Sequence, residues 1–196
     1  MSPPTAALGR GGEHFGGLMT SRFVITAVGD DRPGIVAAFT AALLPLNGNL
    51  EDTAMTLLEG QFAMVLVITL PEGDASTVRD ALTPVAAAFD LMADVRALGP
   101  RGADPGGLEC ALTVYGADRP GIVHRVTTVL AARDVNIVDL STRVIGRDGA
   151  TPVYAMLLDL RLPPGVDESV VRADLDTVAS ELGVDCTLRV IDADVF

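Results

Sequence analysis

Gly29-Asp30-Asp31-Arg32-Pro33-Gly34-Ile35-Val36 returns 87 positions later as Gly116-Ala117-Asp118-Arg119-Pro120-Gly121-Ile122-Val123, with seven of the eight residues unchanged. The same shift pairs Thr26 with Thr113, Thr40 with Thr127, Leu43 with Leu130, Asn49 with Asn136 and Asp52 with Asp139. Beyond a longer hairpin in the second copy the shift becomes 92, pairing Met64 with Met156, Pro71 with Pro163 and Gly73 with Gly165. A self-similarity of this length means two copies of one small unit, not one large domain. The stretch Gly99-Pro100-Arg101-Gly102-Ala103-Asp104-Pro105-Gly106-Gly107 separates them, made of turn formers without apolar period. The expected organisation is a disordered leader over 1–20, a first domain over 21–98, a linker over 99–107 and a second domain over 108–196. Met19, just before the first patterned segment, is a candidate natural start.

Each copy reads as strand, helix, strand, strand, helix, strand. Arg22–Val28 and Glu109–Tyr115 alternate as strands. Ile35, Phe39, Leu43 and Leu46 fall on one helical face, as do Ile122, Val126, Val129 and Leu130. Pro33 and Pro120 stand at the front of these helices, where a missing N–H costs nothing. The first hairpin is expected to turn at Leu58-Glu59-Gly60-Gln61, the second near Gly146-Arg147-Asp148-Gly149. Tyr154, Met156, Leu158, Leu160 and Leu162 alternate toward one face. Val171, Leu175, Val178 and Leu182 predict a helix stopped by Gly183. Pro84 predicts a kink or late start in the helix carrying Val78, Leu82, Val85 and Phe89. This order gives an α+β, ferredoxin-like fold: a four-stranded antiparallel sheet per copy with both helices on one face. Joining the copies side by side into an eight-stranded sheet would cover an exposed edge.

The chain has 196 residues, with 14 basic against 26 acidic side chains and a net charge of −12. That balance argues against nucleic acid and against an anionic membrane as direct partners. With 49% hydrophobic residues and no tryptophan, the core is built of Val, Leu, Ile and Ala. Two cysteines, Cys110 and Cys186, read as buried free thiols in a reducing compartment. The longest uncharged run, Pro33–Leu50, is interrupted by prolines, glycines and asparagines and falls short of a membrane span. No apolar signal segment opens the chain, so a cytoplasmic protein is expected.

The loops entering the first helix of each copy can hold a zwitterion. Amides at a helix N-terminus attract a carboxylate, and Gly34 and Gly121 let it approach the backbone. Asp31 and Asp118 carry the sign that suits an ammonium, and Asn49 and Asn136 can both donate and accept. Taken singly, each has a structural reading too: the aspartates as turn or cap residues, the asparagines as closers of the turn after the helix. Catalysis has little to stand on. His14 and His124 form no Ser-His-Asp set and no metal spacing, and Gly29-x-x-x-x-Gly34 lacks the following Lys and Ser or Thr of a phosphate loop. No enzyme activity, cofactor or metal is expected.

Gly-x-Asp-Arg-Pro-Gly-Ile-Val, followed by Asn49-Leu50-Glu51-Asp52 or Asn136-Ile137-Val138-Asp139, resembles the ACT domain, a small βαββαβ module that binds amino acids and regulates metabolism. The tandem without a third domain is similar to the glycine cleavage system transcriptional repressor family. The resemblance implies a ligand at the interface of two modules. One site would use Gly29, Asp31, Pro33, Gly34 and Ile35 with Asn136, Ile137 and Asp139. Its mirror would use Gly116, Asp118, Pro120, Gly121 and Ile122 with Asn49, Leu50 and Asp52. It also implies a small amino acid such as glycine or serine as ligand. The protein partner would be a transcription activator or a metabolic enzyme. Asp30/Ala117, Ala37/His124 and Glu51/Val138 differ between copies, so the two sites need not be equal. Two other readings stay open: a scaffold whose ACT sheets only drive assembly, homodimers included, and a detached regulatory module of a metabolic enzyme.

Overall fold

Strand alternation and helical period place an apolar face on both helices and on the central strands of each copy, and these elements close on it twice. The computed structural model describes residues 21–99, 102, 106–146 and 152–191. It divides into two units, Met1–Gly102 and Ala103–Phe196. The first contains β1 (Ser21–Asp30), α1 (Ile35–Leu43), β2 (Asn49–Leu58), β3 (Gln61–Leu70), α2 (Ala75–Phe89) and β4 (Met92–Leu98). The second contains β5 (Leu108–Ala117), α3 (Ile122–Ala132), β6 (Asn136–Ile145), β7 (Val153–Leu162), α4 (Glu168–Leu182) and β8 (Val184–Val190). The leader with Met19 and His14, most of the linker, and the second hairpin turn over 147–149 lie outside the described residues.

Each unit holds one antiparallel sheet, ordered β2-β3-β1-β4 in the first and β6-β7-β5-β8 in the second. Each unit's ladders make a sheet of four strands. In the first unit Phe62, Met64, Leu66, Ile68 and Leu70 of β3 pack with Ile35, Phe39 and Leu43 of α1 and Val78 and Leu82 of α2. In the second, Met156, Leu158, Leu160 and Leu162 of β7 meet Ile122, Val126 and Leu130 of α3 and Val171 and Leu175 of α4. Burying each such side chain contributes about 1.5–3 kcal/mol. Both helices of a unit cover one sheet face, which leaves the other open.

Three local details matter. Glu59 (φ 51°) and Gly60 (φ 82°) form a tight two-residue turn between β2 and β3. α2 does not start late: it runs from Ala75 through Pro84 to Phe89, because Asp74 caps its first turn and Val78 and Leu82 pin that turn to the core. Cys110 is buried as expected, but Cys186 is only half-buried, since the β8 edge is not fully covered. No helix among the described residues is long and apolar enough to cross a membrane.

Candidate functional site

The loops after β1 and β5 end in the same way. Gly34 (φ 97°, ψ −6°) is the N-cap of α1, and Gly121 (φ 96°, ψ −7°) is the N-cap of α3. Neither helix receives a side-chain cap, and neither has an acidic residue in its first turn. The first amides of each helix therefore keep their partial positive charge facing outward. The cap reading of Asp31 and Asp118 is thus corrected: glycine occupies the cap position. Asp31 instead donates its backbone N–H to the Gly60 carbonyl at 3.0 Å, which ties the loop to the β2–β3 turn. Both aspartates are exposed, as are Pro33 and Pro120. Arg119 sends Nη1 to the Leu182 carbonyl at 3.4 Å, so it braces the end of α4.

The glycines of the loops divide into two kinds. A Cβ on Gly29 would lie 2.6 Å from Leu91 Cδ2 and 2.9 Å from the Asp90 carbonyl oxygen. One on Gly116 would lie 2.8 Å from Val184 Cγ1. These two are glycine because chain packs against them. Around Gly121 nothing lies within 4 Å, and around Gly34 only Phe89 Cζ, at 3.9 Å. Their surroundings are open, so a ligand has access to the helix amides. Ile35 and Ile122 are buried in the core; each can offer a ligand its backbone N–H but not its side chain.

Asn49 and Asn136 do not close the turns after the helices; Asn47 (φ 51°) and Asp134 (φ 55°) do. Both asparagines open a strand that carries a bulge. Leu50 pairs with Ile68 and Asp52 with Val67, leaving Glu51 as the extra residue. Ile137 pairs with Leu160 and Asp139 with Asp159, leaving Val138 extra. A spacing of three would put Asn49 and Asp52 on opposite faces of a regular strand; the bulge brings both to the open face. Glu51 uses its position to bind Arg22 at 3.1 Å.

Within one unit the loop and the strand start are not brought together. Gly29 pairs with Phe62 at one end of β3, while Asn49 pairs with Thr69 at the other. Seven residues of strand separate the two rows, about 23 Å. No single small ligand can touch both kinds of residue within one unit.

One residue near the loops escaped the sequence reading as anything but core. Tyr154 is 9% exposed, and its hydroxyl has no hydrogen-bond partner among the described residues. It lies opposite Gly116 in the β5–β7 ladder, where the first unit has Phe62 opposite Gly29. Burial lifts the phenol above its ordinary value of 10.0, and the charge of Asp118 pushes the same way. Thr142 opposes that shift, but its side chain does not reach hydrogen-bonding geometry with the phenol. The signal in the sequence was the substitution of Tyr for Phe between otherwise matching positions.

Comparison with known proteins agrees with this architecture. Residues 21–96 and 111–173 each match the ACT domain family. The glycine cleavage system transcriptional repressor of Escherichia coli is 23% identical over 170 residues, covering 86% of this chain and 90% of that protein. A UPF0237 protein of Methanopyrus kandleri is 46% identical over 56 residues, 29% of this chain and 62% of that relative's length. The crystal structure of an unknown protein from Galdieria sulphuraria superposes with a TM-score of 0.79 at 31% identity, covering 88% of this chain and 99% of that one. With its motif, its two βαββαβ units and both family matches in agreement, the chain belongs to the ACT-domain family, as a tandem of two domains.

Proposed function

We propose that this chain is a cytoplasmic regulatory protein that binds a small amino acid and signals to a protein partner. The observation that carries the reading is the pair of uncapped helix N-termini, each entered through an open glycine and preceded by an exposed aspartate. The helix amides would take the ligand carboxylate, and Asp31 or Asp118 its ammonium. Asn49, Leu50 and Asp52, or Asn136, Ile137 and Asp139, would supply the further contacts that the family resemblance implies. The E. coli relative bears the name of a transcriptional repressor. A net charge of −12 supports action on transcription through another protein and not through DNA contact. Isothermal titration with glycine, serine and the other common amino acids tests this. A binding signal abolished by Gly34→Leu or Gly121→Leu supports it; no signal from any amino acid would sink it.

A second reading is favoured by the exposed apolar side chains of β2 and β6, among them Met55, Leu57, Val144 and Ile145. In that reading the sheets serve assembly alone. Light scattering that shows oligomers indifferent to every amino acid would favour it. Stable co-purification with a metabolic enzyme would instead favour a detached regulatory module.

A further inference from the structure

The two loops match in backbone but not in what lies behind them. In the first unit the strand row ending at the loop is Gly29, Phe62 and Leu57, apolar throughout. In the second it is Gly116, Tyr154 and Val144. Cross-strand partners share a face, and Tyr154 belongs to the helix-facing core together with Ile122, the first residue of α3. Its ring therefore fills the same place as Phe62, at the sheet end where the Ala117–Gly121 loop enters α3. The difference is one hydroxyl, buried and without a hydrogen-bond partner among the described residues.

A buried hydroxyl without a partner is unfavourable, and native proteins keep few of them. Nothing in the fold of this unit requires it, since Phe62 does the same packing in the other copy. In the proposed amino-acid site the α3 amides take the carboxylate and Asp118 the ammonium. What remains for a polar group at the back of the loop is the ligand side chain. We propose that Tyr154 is a specificity residue of the second ACT domain, where its hydroxyl selects amino acids with a hydrogen-bonding side chain over isosteric apolar ones. This inference rests on the amino-acid-binding reading given above. The first domain, with Phe62, makes no such distinction.

The chain has two tyrosines and no tryptophan. In a Tyr115→Phe variant, Tyr154 is the sole intrinsic fluorophore; Tyr115 lies exposed on the open sheet face, away from the core. Serine against alanine, and threonine against valine, are the matched probes. The expected result is that serine and threonine alter Tyr154 emission and bind about tenfold tighter than alanine and valine, the worth of one hydrogen bond. Tyr154→Phe in the full chain should keep amino-acid binding and lose that preference. If amino acids bind but Tyr154 emission stays unchanged, or Tyr154→Phe keeps the preference, this inference is overturned while the binding reading stands. A lower unfolding temperature in Tyr154→Phe with the preference intact would overturn it too, by showing the hydroxyl to serve the fold. If no amino acid binds the wild-type chain, both fall.

Discussion

Gly34 and Gly121 hold one backbone conformation, with φ of 97° and 96° and ψ of −6° and −7°. That region is unfavourable to any residue with a Cβ. Around Gly121 a methyl would meet nothing within 4 Å, so Gly121→Ala isolates the torsional cost from steric conflict. A loss of about 1–2 kcal/mol is expected, and less for Gly121→Asn, which tolerates positive φ. Urea unfolding of the two variants checks the order; equal stability of Ala and Gly would refute it.

Gly29→Ala tests the other kind of glycine. Its methyl would run into the Asp90 carbonyl, which belongs to backbone and cannot swing aside. Overpacking of this type costs about 1–3 kcal/mol. Gly60→Ala is the control, with a positive φ but open space around it. Thermal unfolding should place Gly29→Ala below it.

Asp74 accepts from the Thr77 amide at 2.9 Å and the Ser76 hydroxyl at 2.6 Å, and these bonds, the Ser76 one foremost, lower its pKa from 3.8 to about 2. A depressed folded pKa means a contribution that is full above the unfolded value and fades as pH falls through the folded one. Between pH 4 and 2 the chain should therefore lose stability more steeply than an Asp74→Ala variant. Asp167, lowered by its bonds to Ser169, works in the same direction at the start of α4. Parallel acid limbs for wild type and Asp74→Ala would contradict this.

Both thiols should be slow to react in the native protein. Burial pushes the Cys186 thiol from 9.0 up to about 11, with Asp176 and Asp185 adding to it, and burial raises Cys110 as well. A thiol-specific disulfide reagent at pH 8 is expected to titrate both only after unfolding. They do not bridge each other. Cys110 pairs with Val190 and Cys186 with Val114, a separation of four residues along β8, or about 13 Å, beyond disulfide reach.

The repeat made the order of elements legible, because each weak signal occurs twice. The alternation of Tyr154 to Leu162 and the stop at Gly183 needed only local reading. The bulges did not show. β2 is exposed at every position, so no apolar rhythm exists along it for an extra residue to break. Pro84 does not delay the start of α2, because the contacts of Val78 and Leu82 with the core hold its first turns in place, and those contacts are not visible in the local sequence. Of the candidate residues, the N-cap glycines stand where a ligand has access, while Gly29 and Gly116 have packing reasons of their own. The replacement of Phe62 by Tyr154 at the matching position was legible in the sequence, but that its hydroxyl lacks a partner among the described residues was not, since alternation marks only that the ring is inside.

Glu51 and Val138 occupy the one kind of strand position that can be spared without turning the strand over. Their neighbours on either side already pair with adjacent residues of the partner strand, Leu50 and Asp52 with Ile68 and Val67, Ile137 and Asp139 with Leu160 and Asp159. Loss of a single codon at either place would leave every other side chain on its present face, whereas the same loss at Thr53 or Leu140 would send the residues before it to the wrong side. Each domain thus carries, two residues after the asparagine that opens its bulged strand, a point where the chain can shorten by one residue and still keep the sheet in register.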